Sequence, residues 1–182
     1  MGNAAAGAAL SFVMAGDKDA AREWFSRAVE RYGESYEHAP PESWGRPIAI
    51  LKARILAGDW DGAEHDARWT LDQEADGSES PIGRYAACLA LLVLGRDAEA
   101  RVLADALRTH DHFPVAVGDA LAFIAAEDTV GYAVAIESVL ESFETRDEYL
   151  EELPVADTVM VLQALAARRG MAAELASELL PR

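Results

Sequence analysis

The sequence predicts an all-α protein, a tetratricopeptide-like stack of about four helical hairpins (an α-solenoid). Three observations carry that expectation. Alanine, the best helix former, supplies 37 of the 182 residues, while glycine and proline together supply 20. β-branched residues never cluster over more than a few positions. A glycine turn also recurs along the chain. Ala-Gly-Asp-Lys-Asp-Ala-Ala at 15–21 resembles Ala-Gly-Asp-Trp-Asp-Gly-Ala at 57–63 and Leu-Gly-Arg-Asp-Ala-Glu-Ala at 94–100, with a weaker copy, Ala-Glu-Asp-Thr-Val-Gly-Tyr, at 126–132. Gly16, Gly58 and Gly95 are 42 and 37 residues apart. Each copy ends one helix and caps the next, and two helices per period of this size mark a solenoid. Stacking the hairpins buries the one apolar face that each possesses.

The elements follow in order. Asn3 to Ala15 reads as a small-residue helix. Asp17 to Tyr32 places Ala21, Trp24, Phe25, Ala28, Val29 and Tyr32 on one face, at the spacing of 3 and 4 that packs on a core. Gly33 is expected to stop it. Glu34 to Arg46, with Pro40, Pro41 and Gly45, reads as the first long loop. Pro47 suits the first residue of a helix running to Ala57, with Ile48, Leu51 and Ile55 inward. Asp59 to Ala75 is the fourth helix and Asp76 to Ser80 a polar loop, with Ser80-Pro81 a cap and first residue. Tyr85 to Leu94 is apolar nearly all round, which places it at the centre. Arg96 to Thr109 is the sixth helix, His110 to Phe113 a loop, and Pro114 opens the seventh. Thr129 to Thr145 turns Ile136, Val139, Leu140 and Phe143 inward. Asp147 to Leu153 is a short acidic turn, and Pro154 to Arg169 a last helix closed by Gly170. The tail from Met171 to Arg182 has no clear pattern.

One domain over residues 1–182 fits this length. Such a chain buries about 70% of its unfolded surface, so it needs no disulfide or metal staple. Its 51% hydrophobic content excludes a largely disordered chain. The formal net charge of −16 argues against a nucleic-acid partner, whose phosphates repel such a surface. The longest apolar run, the ten residues from Tyr85 to Leu94, is too short to cross a bilayer. No basic segment precedes an apolar stretch at the N-terminus, so no secretion signal is expected. A cytoplasmic protein is the expectation. Lysine occurs only as Lys18 and Lys52, against fourteen arginines. Acid excess with scarce lysine fits a salt-rich cytoplasm, in which case −16 is a general surface property.

The chain carries no Gly-x-Ser-x-Gly, no Gly-x-x-x-x-Gly-Lys loop, no Gly-x-Gly-x-x-Gly and no His-Glu-x-x-His. His110-Asp111-His112 is a compact pair with a carboxylate, but three adjacent residues rarely ligate one ion well. Cys88 falls in the most apolar helix, where its thiolate is disfavoured. The expectation is therefore no catalytic residues, no cofactor and no metal. Trp44 in the long loop and Trp69, off its helix's apolar face, are each either a binding anchor or packing beneath a loop.

The most informative polar feature is a row of acids. Glu137, Glu141 and Glu144 lie 4 and 3 apart on one helix face, and Asp147, Glu148, Glu151 and Glu152 extend the region, offset only by Arg146. Like charges at i and i+4 destabilise a helix by about 0.2–0.5 kcal/mol each. Either a basic partner completes the set, or the row reflects the chain's general acidity.

Three stretches carry a family resemblance. Glu148-Tyr-Leu-Glu-Glu-Leu-Pro-Val-Ala-Asp-Thr-Val-Met-Val-Leu-Gln-Ala-Leu-Ala-Ala-Arg-Arg-Gly170 is a proline-initiated apolar helix, and Ser177-Glu-Leu-Leu-Pro181 follows it. Gly45-Arg-Pro-Ile-Ala-Ile-Leu-Lys-Ala-Arg-Ile-Leu-Ala-Gly-Asp59 is a helix ending at the hairpin turn, and Asn3-Ala-Ala-Ala-Gly-Ala-Ala-Leu-Ser-Phe12 opens the chain. Together these resemble the immunity protein 49 family over most of the length. The chain departs from that pattern by entering its first helix at Asn3, where family members often carry more sequence. The resemblance implies an all-helical cytoplasmic protein that binds a cognate toxin domain and blocks its active site or substrate path. It transfers no catalytic residue. A nuclease toxin is basic, and the acidic row would then mimic phosphate. The second reading is a tetratricopeptide-like scaffold holding a peptide in its concave groove. The third is an enzyme whose carboxylate or histidine site follows no known motif.

Overall fold

A computed structural model describes all 182 residues, Met1 to Arg182. It contains nine α-helices and no strand. The helices are α1 (Gly2–Met14), α2 (Lys18–Glu37), α3 (Gly45–Ala57), α4 (Trp60–Asp72), α5 (Pro81–Val93), α6 (Asp97–Arg108), α7 (Val115–Ala125), α8 (Thr129–Glu144) and α9 (Asp157–Ala167). Single 3₁₀ turns lie at Ala75–Gly77 and Leu150–Glu152. Each helix from α1 to α8 packs on its successor, giving four hairpins in a stack.

One backbone device makes the hairpins. Gly16, Gly58, Gly95 and Gly170 all have φ between +68 and +78, and Glu127 takes the same place at φ +52. The next residue donates its N–H to the carbonyl five positions back in every copy: Asp17 to Phe12, Asp59 to Arg54, Arg96 to Leu91, Asp128 to Phe123 and Met171 to Ala166, at 2.9–3.0 Å. These are Schellman closures, which satisfy the last carbonyls of α1, α3, α5, α7 and α9. Asp17, Asp59 and Asp128 then cap the following helix through the N–H three residues on. The fifth closure, at Gly170, is followed by Met171 and no capping side chain, and no helix forms there.

Alanine does the close packing. Ala63, Ala67, Ala86, Ala87, Ala90, Ala100 and Ala104 are fully buried. Such small side chains let helix axes approach closely. The largest core cluster surrounds α5, whose residues from Tyr85 to Val93 are all buried, as its uniform apolarity requires. A second cluster joins α1, α2 and α3 through Leu10, Phe25 and Ala53, with Val155 between them.

Several boundaries differ from the pattern expected. Gly33 does not stop α2, which runs on to Glu37. A glycine costs a helix interior only about 1 kcal/mol, and Tyr36 beyond it packs edge-on against Trp69 of α4 at 4.9 Å. α3 begins at Gly45, so Pro47 stands in its first turn rather than at its first residue. α4 ends at Asp72, three residues early. α9 begins at Asp157 rather than Pro154, because the Ala156 N–H donates to Leu179 O at 2.9 Å and Val155 is buried away from the helix axis.

The larger addition is the return of α9. It packs on α3 and α7 as well as α8, and so lies across helices from separate hairpins. Val159, Val161, Leu162, Leu165 and Ala166 are buried there. The tail from Met171 lies along it, with Leu175, Leu179 and Leu180 on the main core. Gln163 Nε2 donates to Ala173 O at 2.7 Å. No helix is long and apolar enough to cross a membrane.

Candidate functional site

α8 projects Glu137, Glu141 and Glu144 along one flank of the buried stripe of Ile136, Val139, Leu140 and Phe143, about 100° round the helix from it. The 3.6-residue period alone enforces that split. All seven acids of the row are exposed, and none is in an ion pair. Arg146 does not neutralise them. Its guanidinium lies over the Phe143 ring at 3.5 Å, and its Nε donates to Ser142 O at 3.2 Å.

The row is not straight. Beyond Glu144, which accepts from Ser177 Oγ at 2.7 Å, the chain leaves α8 and crosses to α1. Glu151 there packs against Gly7, where an added methyl group would meet the Glu151 side chain at 3.2 Å. Glu151 and Glu152 both have positive φ, at +52 and +59. Two consecutive non-glycine residues in that conformation hold this strap under backbone strain. The acids therefore form a band that turns from α8 onto the α1 side.

The two tryptophans part company. Trp44 is 5% exposed and packs with Ala75, Ala86 and Ala87. Of the two readings, that is packing beneath the loop and not a binding anchor, since its ring is already committed to the interior. Its Nε1 has no hydrogen-bond partner. Trp69 is half-buried against Tyr36, pinning the far end of α2 to α4. Trp24, expected in the core, is half-buried beneath the Arg27 guanidinium at 4.5 Å.

Sequence reading missed a second feature, the cleft between α1, α3 and the strap. An apolar chamber of about 270 Å³ is lined by Leu10, Phe25, Ile48 and Leu150, and opens into a wider polar mouth of about 700 Å³. Asn3, Tyr32, Gly45 and Ala49 line both. Lys52 and Asp157, each about four-fifths buried, form an ion pair in the chamber wall, and Lys52 Nζ also donates to Thr158 Oγ1 at 3.0 Å. Tyr32 donates its hydroxyl to Asn3 Oδ1 at 2.8 Å. Burial pushes the Tyr32 phenol up to about 12, and the nearby carboxylates of Glu151 and Asp157 push the same way. The only local sign of this pair is a lysine in the apolar run Ile48 to Ile55; its partner lies 105 residues away.

Cys88 is fully buried, donates weakly to Ala100 O at 3.5 Å, and has its thiol pushed up to about 12 by burial. His110 Nδ1 accepts from the His112 N–H at 3.2 Å, so that nitrogen faces its own loop. No group of three His, Cys, Asp or Glu side chains converges as a metal site would require. Comparison of the chain with protein-family models, with curated proteins and with solved structures gives no match.

Proposed function

We propose that this is a binding protein with no reaction of its own, whose acidic band takes up a basic domain of a partner protein. The distribution of charge carries the reading. From Thr109 to Ala167 the chain has twelve acids and one arginine, whereas the remaining residues have twenty acids and fifteen bases. Ten of those twelve carboxylates are in no ion pair, Asp119 and Asp157 being the exceptions. General adaptation to salt would raise acidity throughout the surface. Concentration in one segment supports a complementary partner, whose approach the field would accelerate in a salt-dependent way. The resemblance to the immunity protein 49 family adds the kind of partner: a toxin domain neutralised in the cytoplasm by covering its active site or substrate path. Against a basic nuclease, the band would occupy the place of phosphates.

The test is a capture experiment on lysate of the source organism, run in parallel with the wild-type chain and an E137Q/E141Q/E144Q variant. One basic protein retained by the wild type, released by salt and lost from the variant is the expected result. Equal retention on both overturns the reading.

A further inference from the structure

Although the chain has twice as many acids as bases, one groove of about 720 Å³ is lined by bases and by no acidic side chain. It runs across the α1/α2 turn, the α3/α4 turn and the C-terminal end of α9. Lys18, Arg22 and Arg168 line it, with Ile55, Leu56 and Trp60 as its apolar wall. Arg182 reaches the same groove, but three bases suffice. None of the acids of the α8 band takes part.

The two arginines are held in place chiefly by backbone carbonyls. Arg22 Nε donates to Ala57 O at 3.3 Å, bridging α2 to the end of α3. Arg168 Nη1 donates to Val93 O at 3.1 Å, and its guanidinium lies over the Trp60 ring at 4.4 Å. Each also has a long, solvent-exposed ion pair, Arg22 with Asp19 and Arg168 with Glu64, both at 3.8 Å, and Glu64 is shared with Arg68 at 3.2 Å; such pairs leave most of the charge available. Arg54, Arg96 and Arg108, by contrast, meet a carboxylate at 2.6 Å or closer. Lys18 is in no ion pair and lies one turn before Arg22 on the same face of α2. Backbone carbonyls orient a guanidinium but leave its charge available. Each glycine turn also brings together one helix C-terminus and one N-terminus, so the helix dipoles largely cancel here.

From this geometry we infer that the groove binds a small amphipathic carboxylate, its head between Lys18, Arg22 and Arg168 and its apolar body against Trp60 and Leu56. Its size falls in the range of small-molecule sites, about 300–1,000 Å³. Repulsion by the distant acids is screened within about 8 Å at physiological salt, leaving the local bases in control.

The test uses the full-length ¹⁵N-labelled chain and three probes of equal length: octanoate, octanol and octylammonium. Octanoate is expected to shift the Trp60 indole and Arg22 Nε resonances saturably. Octanol should bind about tenfold more weakly and octylammonium not at all, since the charged head supplies the difference. A K18A/R22A variant, altering two exposed side chains, should weaken octanoate about tenfold while keeping the wild-type circular dichroism. Equal binding of octanol or octylammonium, shifts confined to other parts of the molecule, no shift with octanoate, or unchanged affinity in the variant overturns the assignment.

Discussion

Arg169, just past the end of α9, is ion-paired with Asp97, the first residue of α6, 72 positions earlier in the chain. The same guanidinium donates to Leu92 O at 2.8 Å and to Leu165 O at 3.0 Å, and its side chain is only 8% exposed. One side chain thus ties the returning helix to the end of α5 and the start of α6. It meets the carbonyls and the carboxylate with a planar fork that a lysine cannot reproduce.

Arg169→Ala is accordingly expected to cost about 3 kcal/mol in urea unfolding, because it strands partly buried acceptors. Arg169→Lys should recover less than half of that loss, since it restores charge without the fork. A lysine variant as stable as the wild type would show that charge alone holds α9.

The fourth turn carries a glutamate where the others carry glycine. A non-glycine residue in the left-handed conformation costs about 1–2 kcal/mol. Glu127→Gly should therefore raise stability by about 1 kcal/mol, after allowing for glycine's extra unfolded-state entropy. Gly58→Ala should lower it by about 1–2 kcal/mol. No atom stands within 4 Å of the added methyl group at Gly58, so backbone conformation is the whole effect. Thermal or urea melts of the two variants check both signs.

The acidic band should carry a measurable internal cost. Glu137 and Glu141 are four apart and Glu141 and Glu144 three apart on α8. Relieving two like-charge pairs at about 0.2–0.5 kcal/mol each predicts that E137Q/E141Q/E144Q is slightly more stable than the wild type at low salt. The gain should fade in molar salt, where screening acts within about 3 Å. Calorimetric melts at low and high salt would show it.

Alkali should unfold the protein through groups kept neutral inside it. Burial moves Cys88 from 9.0 to about 12 and, foremost among its causes, Tyr32 from 10.0 to about 12; it raises Tyr85 and Tyr132 as well. Between their unfolded and folded values, the folded chain retains protons that the unfolded chain has released. Stability is thus intact below pH 9 and falls as the pH rises towards 12. Urea midpoints measured across that range should decline, and Tyr32→Phe should flatten part of the decline above pH 10. Cys88 should resist a disulfide reagent until unfolding.

Which features were readable in the chain depends on how far apart the interacting groups lie. The helices, the glycine turns and the aspartate caps rest on bonds between residues three to five positions apart, so Ala-Gly-Asp states its own geometry. The centrality of α5 was equally legible, because a helix apolar on every side must be covered on every side. The exposure of Glu137, Glu141 and Glu144 followed from helical period alone.

Tertiary structure decided the rest. Nothing local in Pro154 to Gly170 tells that this helix returns to α3 and α7, since its buried residues would suit any apolar surface. The continuation of α2 through Gly33 depends on Trp69, 36 residues away, and the burial of Trp44 on alanines of α5. The groove at Lys18, Arg22 and Arg168 joins α2 to the far end of α9 through carbonyls of Ala57 and Val93. Local sequence dictates the hairpins, because their hydrogen bonds close within one turn. Only long-range packing decides which faces they cover, because apolar burial is non-directional and takes its partner from whatever the rest of the chain supplies.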